Sequence, residues 1–224
     1  MSFTEIQVVP GPANYYCFPG ALRELENFYS ESDLQQAFWL YGERAIAATE
    51  SFLPSVWSAA SAEKHCVRDH CSEPLISQLI DQAGDSRKVI IGIGGGTVMD
   101  TAKALADRLK LPVVLIPTIA ATCAAWTPLS VWYNAQGSNV GYEIFKQSNH
   151  LVLVEPEIIL QAPAEYLLAG IGDTLAKWYE ARVLLPDEQA DSVPYLAKTA
   201  LKMAEGLRDL LFSDSAGADR RAHV

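Results

Sequence analysis

The chain has 224 residues, half of them hydrophobic, which fits one large domain or two small ones with a substantial core. Its net charge is −10 and it has no basic cluster to neutralise phosphates, so nucleic acid is excluded as a partner. No apolar run reaches the roughly 20 residues of a membrane span, and the first residues lack a signal-peptide pattern. Together with four irregularly spaced cysteines, these features predict a cytoplasmic protein with reduced thiols.

The first two thirds of the chain predict alternating strands and helices. A loop is predicted over 11–15. Apolar runs predict strands at 6–9, 37–41, 64–68, 89–93 and 113–116. Helical spacing predicts helices at 22–29, 44–53, 73–83 and 97–109. This alternation indicates an α/β fold with a parallel sheet covered on both faces.

After Thr127 the pattern changes. Two strands, 129–133 and 140–145, flank a turn at 134–137 and predict a hairpin, and a further buried strand follows at 151–154. The remainder is helical, with segments at 164–169, 174–184 and 194–212. We expect a domain boundary near Gln161, which divides the chain into domains 1–161 and 162–224.

The most informative stretch is the glycine turn Gly94-Gly95-Gly96 between the strand 89–93 and the helix 97–109. Glycines allow a tight turn and let a ligand approach the backbone. The first N–H groups of the helix have no partner within it, and its dipole favours an anion such as a phosphate. The alternative is a tight turn without a ligand, since the third glycine of the common dinucleotide fingerprint is missing.

Ligands of parallel sheets lie beyond the carboxyl ends of the strands. Three segments are predicted to meet at that edge: Gly42–Arg44, Gly94–Thr97 and Pro117–Thr127.

Three motifs resemble those of one known family. Gly94-Gly95-Gly96 followed by Asp100 and Ala102-Lys103 is similar to a signature of the iron-containing (group III) alcohol dehydrogenases. The segment 117–122 resembles the second loop of that family, and 170–178 resembles the start of its helical metal domain. Within the family, the chain resembles the glycerol dehydrogenase-like branch, and 117–133 and 151–180 are most similar to bacterial hydroxycarboxylate dehydrogenases, which reduce 2-oxo acids.

The resemblance implies a Rossmann-like parallel-sheet domain followed by an all-helical domain, as in the dehydroquinate synthase-like architecture. It implies hydride transfer between NAD(P)H and a small 2-oxo or 2-hydroxy acid or alcohol, assisted by a divalent metal, zinc or iron. The metal histidines of the family would lie beyond residue 224, so we expect a truncated helical part and little turnover from this chain. A homo-oligomer is expected for the full-length form. The alternatives are a dehydroquinate synthase-like lyase and a non-catalytic nucleotide-binding remnant.

The resemblance also assigns cofactor residues. Gly94, Gly95, Gly96 and Thr97 would bind the pyrophosphate, and further contacts would come from Thr118, Thr122, Thr127, Leu129 and Val131. Ordinary loop hydrogen bonding is the alternative for the threonines. Asp100 is expected to accept N–H bonds in the first helical turn, and Lys103 to be solvated or paired.

Gly42 occupies the position of an acid that binds the ribose in NAD-specific relatives, and Arg44 could attract a 2′-phosphate. This favours NADP slightly, although Glu43 opposes it.

Two further residues bear on the chemistry. Asp173 is the candidate metal ligand by resemblance, although Gly172-Asp173-Thr174 taken alone would be a helix N-cap. Cys123 stands where glycerol dehydrogenases carry an aspartate near the substrate, and a thiol accepts hydrogen bonds poorly. This predicts an oxo or hydroxy acid in preference to glycerol. A nucleophilic Cys123 is the alternative, with no histidine near it in sequence.

Overall fold

The computed structural model describes residues 10–185 and 193–221, with side chains described up to residue 213. The predicted strand 6–9 lies outside the described residues. The strands are β1 (Asn14–Cys17), β2 (Ala37–Tyr41), β3 (Glu63–Cys66), β4 (Val89–Gly94), β5 (Val113–Pro117), β6 (Leu129–Tyr133), β7 (Asn139–Ile144) and β8 (Leu151–Val154). The helices are α1 (Glu24–Phe28), α2 (Glu31–Gln35), α3 (Glu43–Thr49), α4 (Glu73–Ala83), α5 (Gly96–Leu109), α6 (Pro156–Gln161), α7 (Ala164–Leu184) and α8 (Tyr195–Arg221). Short 3₁₀ turns lie at Ala21–Arg23, Glu50–Phe52 and Ser55–Ser58.

Six strands form one sheet in the order β1-β8-β5-β4-β2-β3, and every neighbouring pair is parallel. Strands β6 and β7 form a separate antiparallel hairpin. The predicted α/β fold, its parallel sheet and the hairpin are therefore confirmed. Strand β4 is the centre of the sheet: all six of its residues are buried, as a strand covered on both faces requires.

Two apolar clusters cover the two faces of the sheet. The first includes the buried side chains of α4 and α5, and the second includes Leu25, Leu34 and Ile158 from α1, α2 and α6. Helix α5 lies directly on β4, because a Cβ at Gly92 would be only 2.8 Å from the Cβ of Ala102. The glycine in the strand thus lets the helix that follows the glycine turn approach the sheet closely.

Some sequence expectations are wrong. Asn14 and Tyr15 were expected at the end of a loop, yet they begin β1, because their backbone pairs with the distant strand β8, with Tyr15 opposite Val152. Helices α2 and α6 were not predicted. The expected break between helices 164–169 and 174–184 is also wrong: α7 is continuous. Gly170 and Gly172 suggested a turn, but tertiary packing overrides their low helix propensity.

Gly170 has a packing role in α7. A side chain there would overlap the carbonyl oxygen of Ala120, in the loop that follows β5. The backbone of helix α7 therefore contacts that loop directly at Gly170. Its other partner is α8, where the guanidinium of Arg208 lies 4.0 Å from the centre of the Trp178 ring. Within the described residues, no helix is long and apolar enough to cross a membrane.

The contact at Gly170 predicts a large effect for one added methyl group. We expect Gly170→Ala to lower the free energy of unfolding by about 1–3 kcal/mol, since α7 or the loop must move apart. Gly172→Ala in the same helix is the matched control, because nothing lies within 4 Å of its Cβ position. It should instead stabilise the chain by about 0.5–1 kcal/mol through helix propensity. Urea unfolding of both variants measures this, and equal stabilisation by both would contradict the contact.

Candidate nucleotide-binding site

A cleft of about 780 Å³ lies at the carboxyl ends of β2, β4 and β5. The three loops that the sequence predicted to meet at this edge do meet here. The cleft brings together five of the predicted cofactor residues: Gly42, Gly95, Gly96, Thr97 and Thr118. Its opposite wall contains residues that were not predicted, among them Ile158, Gln161, Pro163 and Tyr166. No motif marked them, because they come from α6 and from the start of α7.

The amino end of α5 faces this cleft without a capping side chain. The helix begins at Gly96, and its N-cap, Gly95, makes no side-chain bond. A Cβ at Gly95 would lie 2.8 Å from Cδ1 of Ile119, and one at Gly94 would lie 2.7 Å from Cγ2 of Val98. The turn is therefore as narrow as the sequence indicated. The first N–H groups of the helix and the positive end of its dipole could hold an anion here.

Gly42, in the loop that follows β2, is bonded to the strand that leads into this turn. Its N–H donates to the carbonyl of Ile93, at 3.0 Å, so the ends of β2 and β4 lie side by side. The next residue, Glu43, begins α3 and forms an exposed ion pair with Arg68 at 3.5 Å. Arg44 and Arg68 both line the cleft. Two arginines therefore line the same cleft as Gly42, and Glu43 is already paired with one of them, Arg68.

Asp100 and Lys103 of α5 form a buried ion pair, with 3.0 Å between Nζ and Oδ1. Asp100 also accepts the backbone N–H of Val131 at 3.3 Å, in β6. The expectation that Asp100 caps the first turn of its own helix is therefore wrong. Of the two options for Lys103, solvated or paired, the structure shows a pair, and its side chain is only 1% exposed.

Lys103 also fixes the loop that follows β5. Its ammonium donates to the carbonyl oxygens of Ala124 at 2.9 Å, Thr127 at 3.3 Å and Leu129. Burial lowers the pKa of Lys103 and raises that of Asp100, while their mutual attraction opposes both shifts. With three carbonyls and one carboxylate as acceptors, the lysine has no donor left for a ligand. Its role is to hold residues 124–129 against α5.

A second buried side chain supports the same loop. Asn149 was not among the predicted residues; its amide donates to the carbonyls of Ala125 at 2.9 Å and Thr127 at 3.3 Å. A lone asparagine before a strand gives no sequence signal for this role. The loop is thus held from two sides by polar side chains.

The remaining predicted residues lie beside the cleft and do not line it. Thr122 lies nearest: its Oγ1 would be 3.5 Å from a Cβ at Gly96, and it accepts the N–H of Ala124 at 3.3 Å. Thr127 donates its hydroxyl to the carbonyl of Cys123 at 3.4 Å. These contacts are those of the alternative interpretation, ordinary loop hydrogen bonding.

Leu129 and Val131 share one face of β6, where both are half-buried, while Ser130 and Trp132 on the other face are buried. Cys123 is exposed. These positions place the outer face of the hairpin and the loop thiol at the surface.

Asp173 lies inside α7, so its interpretation as a helix N-cap is wrong. Its Oδ1 accepts a hydrogen bond from Lys177, one turn further on, at 2.9 Å. Among the residues that the structure describes, no three His, Cys, Asp or Glu side chains group closely enough to hold a metal ion. The described donors therefore offer a candidate ligand but do not fit a complete metal site.

The fold and the cleft define the class of this protein: a Rossmann-like parallel-sheet domain that continues into a helical region. Residues 12–156 match the family model of the iron-containing alcohol dehydrogenases. The chain belongs to this family, which confirms the resemblance seen in its sequence.

Relatives within the family indicate the branch. The chain is 54% identical over 215 residues to hydroxycarboxylate dehydrogenase A of Escherichia coli, an alignment that covers 96% of this chain and 59% of that protein. It is 36% identical to a glycerol dehydrogenase of Thermotoga maritima, over 73% of this chain and 47% of the relative. A probable glycerol dehydrogenase structure from Sinorhizobium meliloti superposes with a TM-score of 0.76 at 25% identity, covering 95% of this chain and 59% of the other. The chain thus spans about half to three fifths of these proteins.

The buried ion pair predicts a severe effect of Lys103→Met. The substitution leaves the Asp100 carboxylate buried without its partner, so we expect the free energy of unfolding to fall by about 3–5 kcal/mol. The exposed Lys110, which pairs with Asp107 at 3.3 Å just beyond the same helix, is the control. Lys110→Met should change stability by less than about 0.5 kcal/mol. Similar urea midpoints for the two variants would contradict the assigned role of Lys103.

Proposed function

We propose that this chain is the cofactor-binding part of a metal-dependent oxidoreductase that transfers hydride between NAD(P)H and a small 2-oxo or 2-hydroxy acid or alcohol. The observation that carries the proposal is the uncapped amino end of α5 behind Gly95 and Gly96, open to a cleft at the carboxyl edge of a parallel sheet. Family membership agrees with it. The proposed domains are 1–161 for the nucleotide and 162–224 for the start of the helical part.

In this proposal, residues of the chain bind and orient the dinucleotide cofactor. The N–H groups of Gly96 and Thr97 hold the pyrophosphate, aided by the helix dipole. Thr118, buried at the end of β5, donates its N–H to the carbonyl of Gly94 at 3.1 Å and so holds the turn in place. When bound, the nicotinamide supplies or accepts the hydride. Thr127, Leu129 and Val131 are proposed to flank that ring on the side that Lys103 holds rigid.

For the metal, zinc or iron, Asp173 is the proposed ligand from this chain. Asp173 also pairs with Lys177, and the described residues contain no group of three His, Cys, Asp or Glu side chains that would complete the site. The lyase alternative has no support in the comparisons, where the relatives described above are dehydrogenases.

A 2-oxo acid is the proposed substrate class. Cys123 gives the substrate loop no carboxylate acceptor for polyol hydroxyls. The E. coli relative, by its name, acts on hydroxycarboxylates. A cytoplasmic location and a homo-oligomeric full-length form are part of the same proposal.

A charge placed at the helix terminus tests the nucleotide site. Gly96→Asp adds a carboxylate where the phosphate would bind, and its Cβ meets nothing closer than 3.5 Å. We expect NADH affinity to fall at least about tenfold through repulsion, while thermal stability holds or rises because an acid suits a helix amino end. Gly206→Asp in α8 adds the same charge, with nothing within 4 Å of its Cβ position, and should leave affinity unchanged. Fluorescence titration with NADH measures the affinity of both variants. If Gly96→Asp bound NADH as tightly as the wild type, the proposed nucleotide site would be refuted.

We further propose a preference for NADPH over NADH, from Arg44 and Arg68 around Gly42. Gly42→Asp should reverse it, because a carboxylate accepts the ribose hydroxyls and repels a 2′-phosphate. The position tolerates a side chain: its Cβ would lie 3.5 Å from Ala45 and 3.6 Å from Val98. We expect a shift of about tenfold or more in the ratio of the two affinities. Arg44→Gln should weaken NADPH alone; equal loss of both cofactors would count against the preference.

A further inference from the structure

A second cavity lies at the opposite edge of the sheet from the nucleotide cleft. Its volume is about 570 Å³, a size that is common for small-molecule sites. Its lining includes Ala13 and His150, which precede β1 and β8, and Val113, which begins β5, so it lies at the amino ends of these strands. Among the described residues, the cavity and the cleft share no lining residue. A ligand in this cavity would therefore not compete with a nucleotide for the cleft.

Helix α5 and the loop between β7 and β8 supply most of this lining. The loop contributes residues 145–150, of which Phe145 is buried, whereas Lys146 and Gln147 are exposed. The lining therefore combines apolar surface with charged and polar side chains, as small-molecule sites do. Four residues of α5 and its carboxyl end recur at helical spacing and share the face that lines the cavity: Lys103, Ala106, Asp107 and Lys110.

The charge of this lining is opposite in sign to that of the chain. The chain has 17 Lys and Arg residues against 27 Asp and Glu, which gives a net charge of −10. The cavity is lined by the three lysines Lys103, Lys110 and Lys146, and by one acid, Asp107. The carboxylate of Asp107 is already paired with Lys110, at 3.3 Å. A local surplus of positive charge on an acidic protein attracts anions to this cavity.

Two of the three lysines can reach a ligand. The ammonium of Lys103 is used by Asp100 and by backbone carbonyls. The Lys110 side chain is 73% exposed, and its bond to Asp107 uses one of its three N–H donors. Lys146 is exposed, and among the described residues its ammonium has no ion-pair or hydrogen-bond partner. Lys110 and Lys146 therefore offer donors from two sides of the cavity, one from the helix and one from the loop.

A buried amide adds an acceptor to the same cavity. Asn149 lines the cavity and is only 2% exposed. Its amide nitrogen donates to the carbonyls of Ala125 and Thr127, whereas its Oδ1 accepts no hydrogen bond from the residues that the structure describes. Because buried polar atoms are normally paired, this oxygen is available to a hydroxyl group of a ligand.

We propose that this cavity binds a small organic anion that carries two or more carboxylate or phosphate groups. Lys110 and Lys146 bind the anionic groups through charge-assisted hydrogen bonds, and Oδ1 of Asn149 accepts a hydroxyl group of the same ligand. A single inorganic ion would fill only a small part of a cavity of this size. The inference does not rest on the function proposed above, because it uses none of the residues of the cleft.

The cavity is joined to the loop at 124–129. Lys103 and Asn149 both line it, and both hold carbonyl oxygens of that loop. A ligand that contacts these side chains opposes their local opening, since binding stabilises the closed state. Hydrogen exchange at 124–129 and at 145–150 should therefore slow when the anion binds.

The competing interpretation is that these lysines serve only the surface. Lys110 lies at the carboxyl end of α5, where a cation suits the helix dipole, and Lys146 would simply be solvated. This interpretation predicts a weak, general attraction of anions. It also predicts that removing any exposed lysine has the same small effect.

The experiment titrates citrate and fructose 1,6-bisphosphate into the full 224-residue chain by calorimetry at constant ionic strength. We expect at least one of them to bind with a Kd below about 1 mM, and more tightly than inorganic phosphate. The preferred anion tells a carboxylate ligand from a phosphate ester. Lys110→Gln and Lys146→Gln should each weaken it at least about fivefold, whereas Lys146→Arg, which keeps the charge, should retain most of the affinity.

A matched control comes from the same edge of the sheet. Lys88 is exposed and directly precedes β4, but it does not line the cavity. Lys88→Gln should change the affinity by less than about twofold. The Gly96→Asp variant should also bind the anion as the wild type does, because its added charge lies in the cleft at the other edge.

Three results would overturn the inference. The first is that neither organic anion binds more tightly than inorganic phosphate. The second is that Lys110→Gln and Lys146→Gln bind as the wild type does, or that Lys88→Gln loses as much affinity as they do, because the cavity would then not be the cause. The third is that Gly96→Asp abolishes binding and exchange slows only at 94–97, which would place the anion in the nucleotide cleft.

Discussion

The buried pair of Lys103 and Asp100 is the interaction on which the site depends. The lysine lies on the helix that presents its amino end to the cleft, and its ammonium holds three carbonyls of the loop at 124–129. One side chain therefore couples the phosphate end of the cleft to the loop that carries Cys123. Burying this charge is costly, and the cost is met only because every donor finds an acceptor. Such a network tolerates little change, since removing one partner leaves the other desolvated.

Close backbone approach is the second constraint. At Gly92 the helix α5 meets β4, and at Gly170 the helix α7 meets the loop after β5; a side chain at either place would collide with its neighbour. The loop is therefore confined between two helices, by hydrogen bonds from the ammonium of Lys103 on one side and by the backbone contact at Gly170 on the other.

The sequence predicted the fold well where the signal is local. A continuous apolar run predicts the central strand β4, helical spacing predicts α5, and two strands about a short turn predict the hairpin. The strand β1 was missed because it pairs with β8, which is distant in the chain. Beside this pairing, the side chain of Asn14 donates to the carbonyl of His150, 136 residues further on. The prediction ended one helix before Gly170 and began another at residue 174. In a sequence, a glycine that packing requires cannot be told from a glycine that a turn requires. In the same way, Asp100 suggested a cap, because only the three-dimensional structure brings Val131 to it.

Lys103 and Lys177 show why residue type alone does not assign a role. Both are one turn from an aspartate on a helix, Lys103 at three residues from Asp100 and Lys177 at four from Asp173. The first is enclosed by carbonyls, so its charge stabilises the protein itself. The second has the same partner chemistry but remains open to solvent. What separates them is the surrounding backbone, which the sequence does not display: three carbonyl oxygens converge on the ammonium of Lys103. The side chain of Lys103 is 1% exposed and that of Lys177 is 42% exposed, so only the tertiary structure tells the lysine that holds the loop from the lysine at the surface.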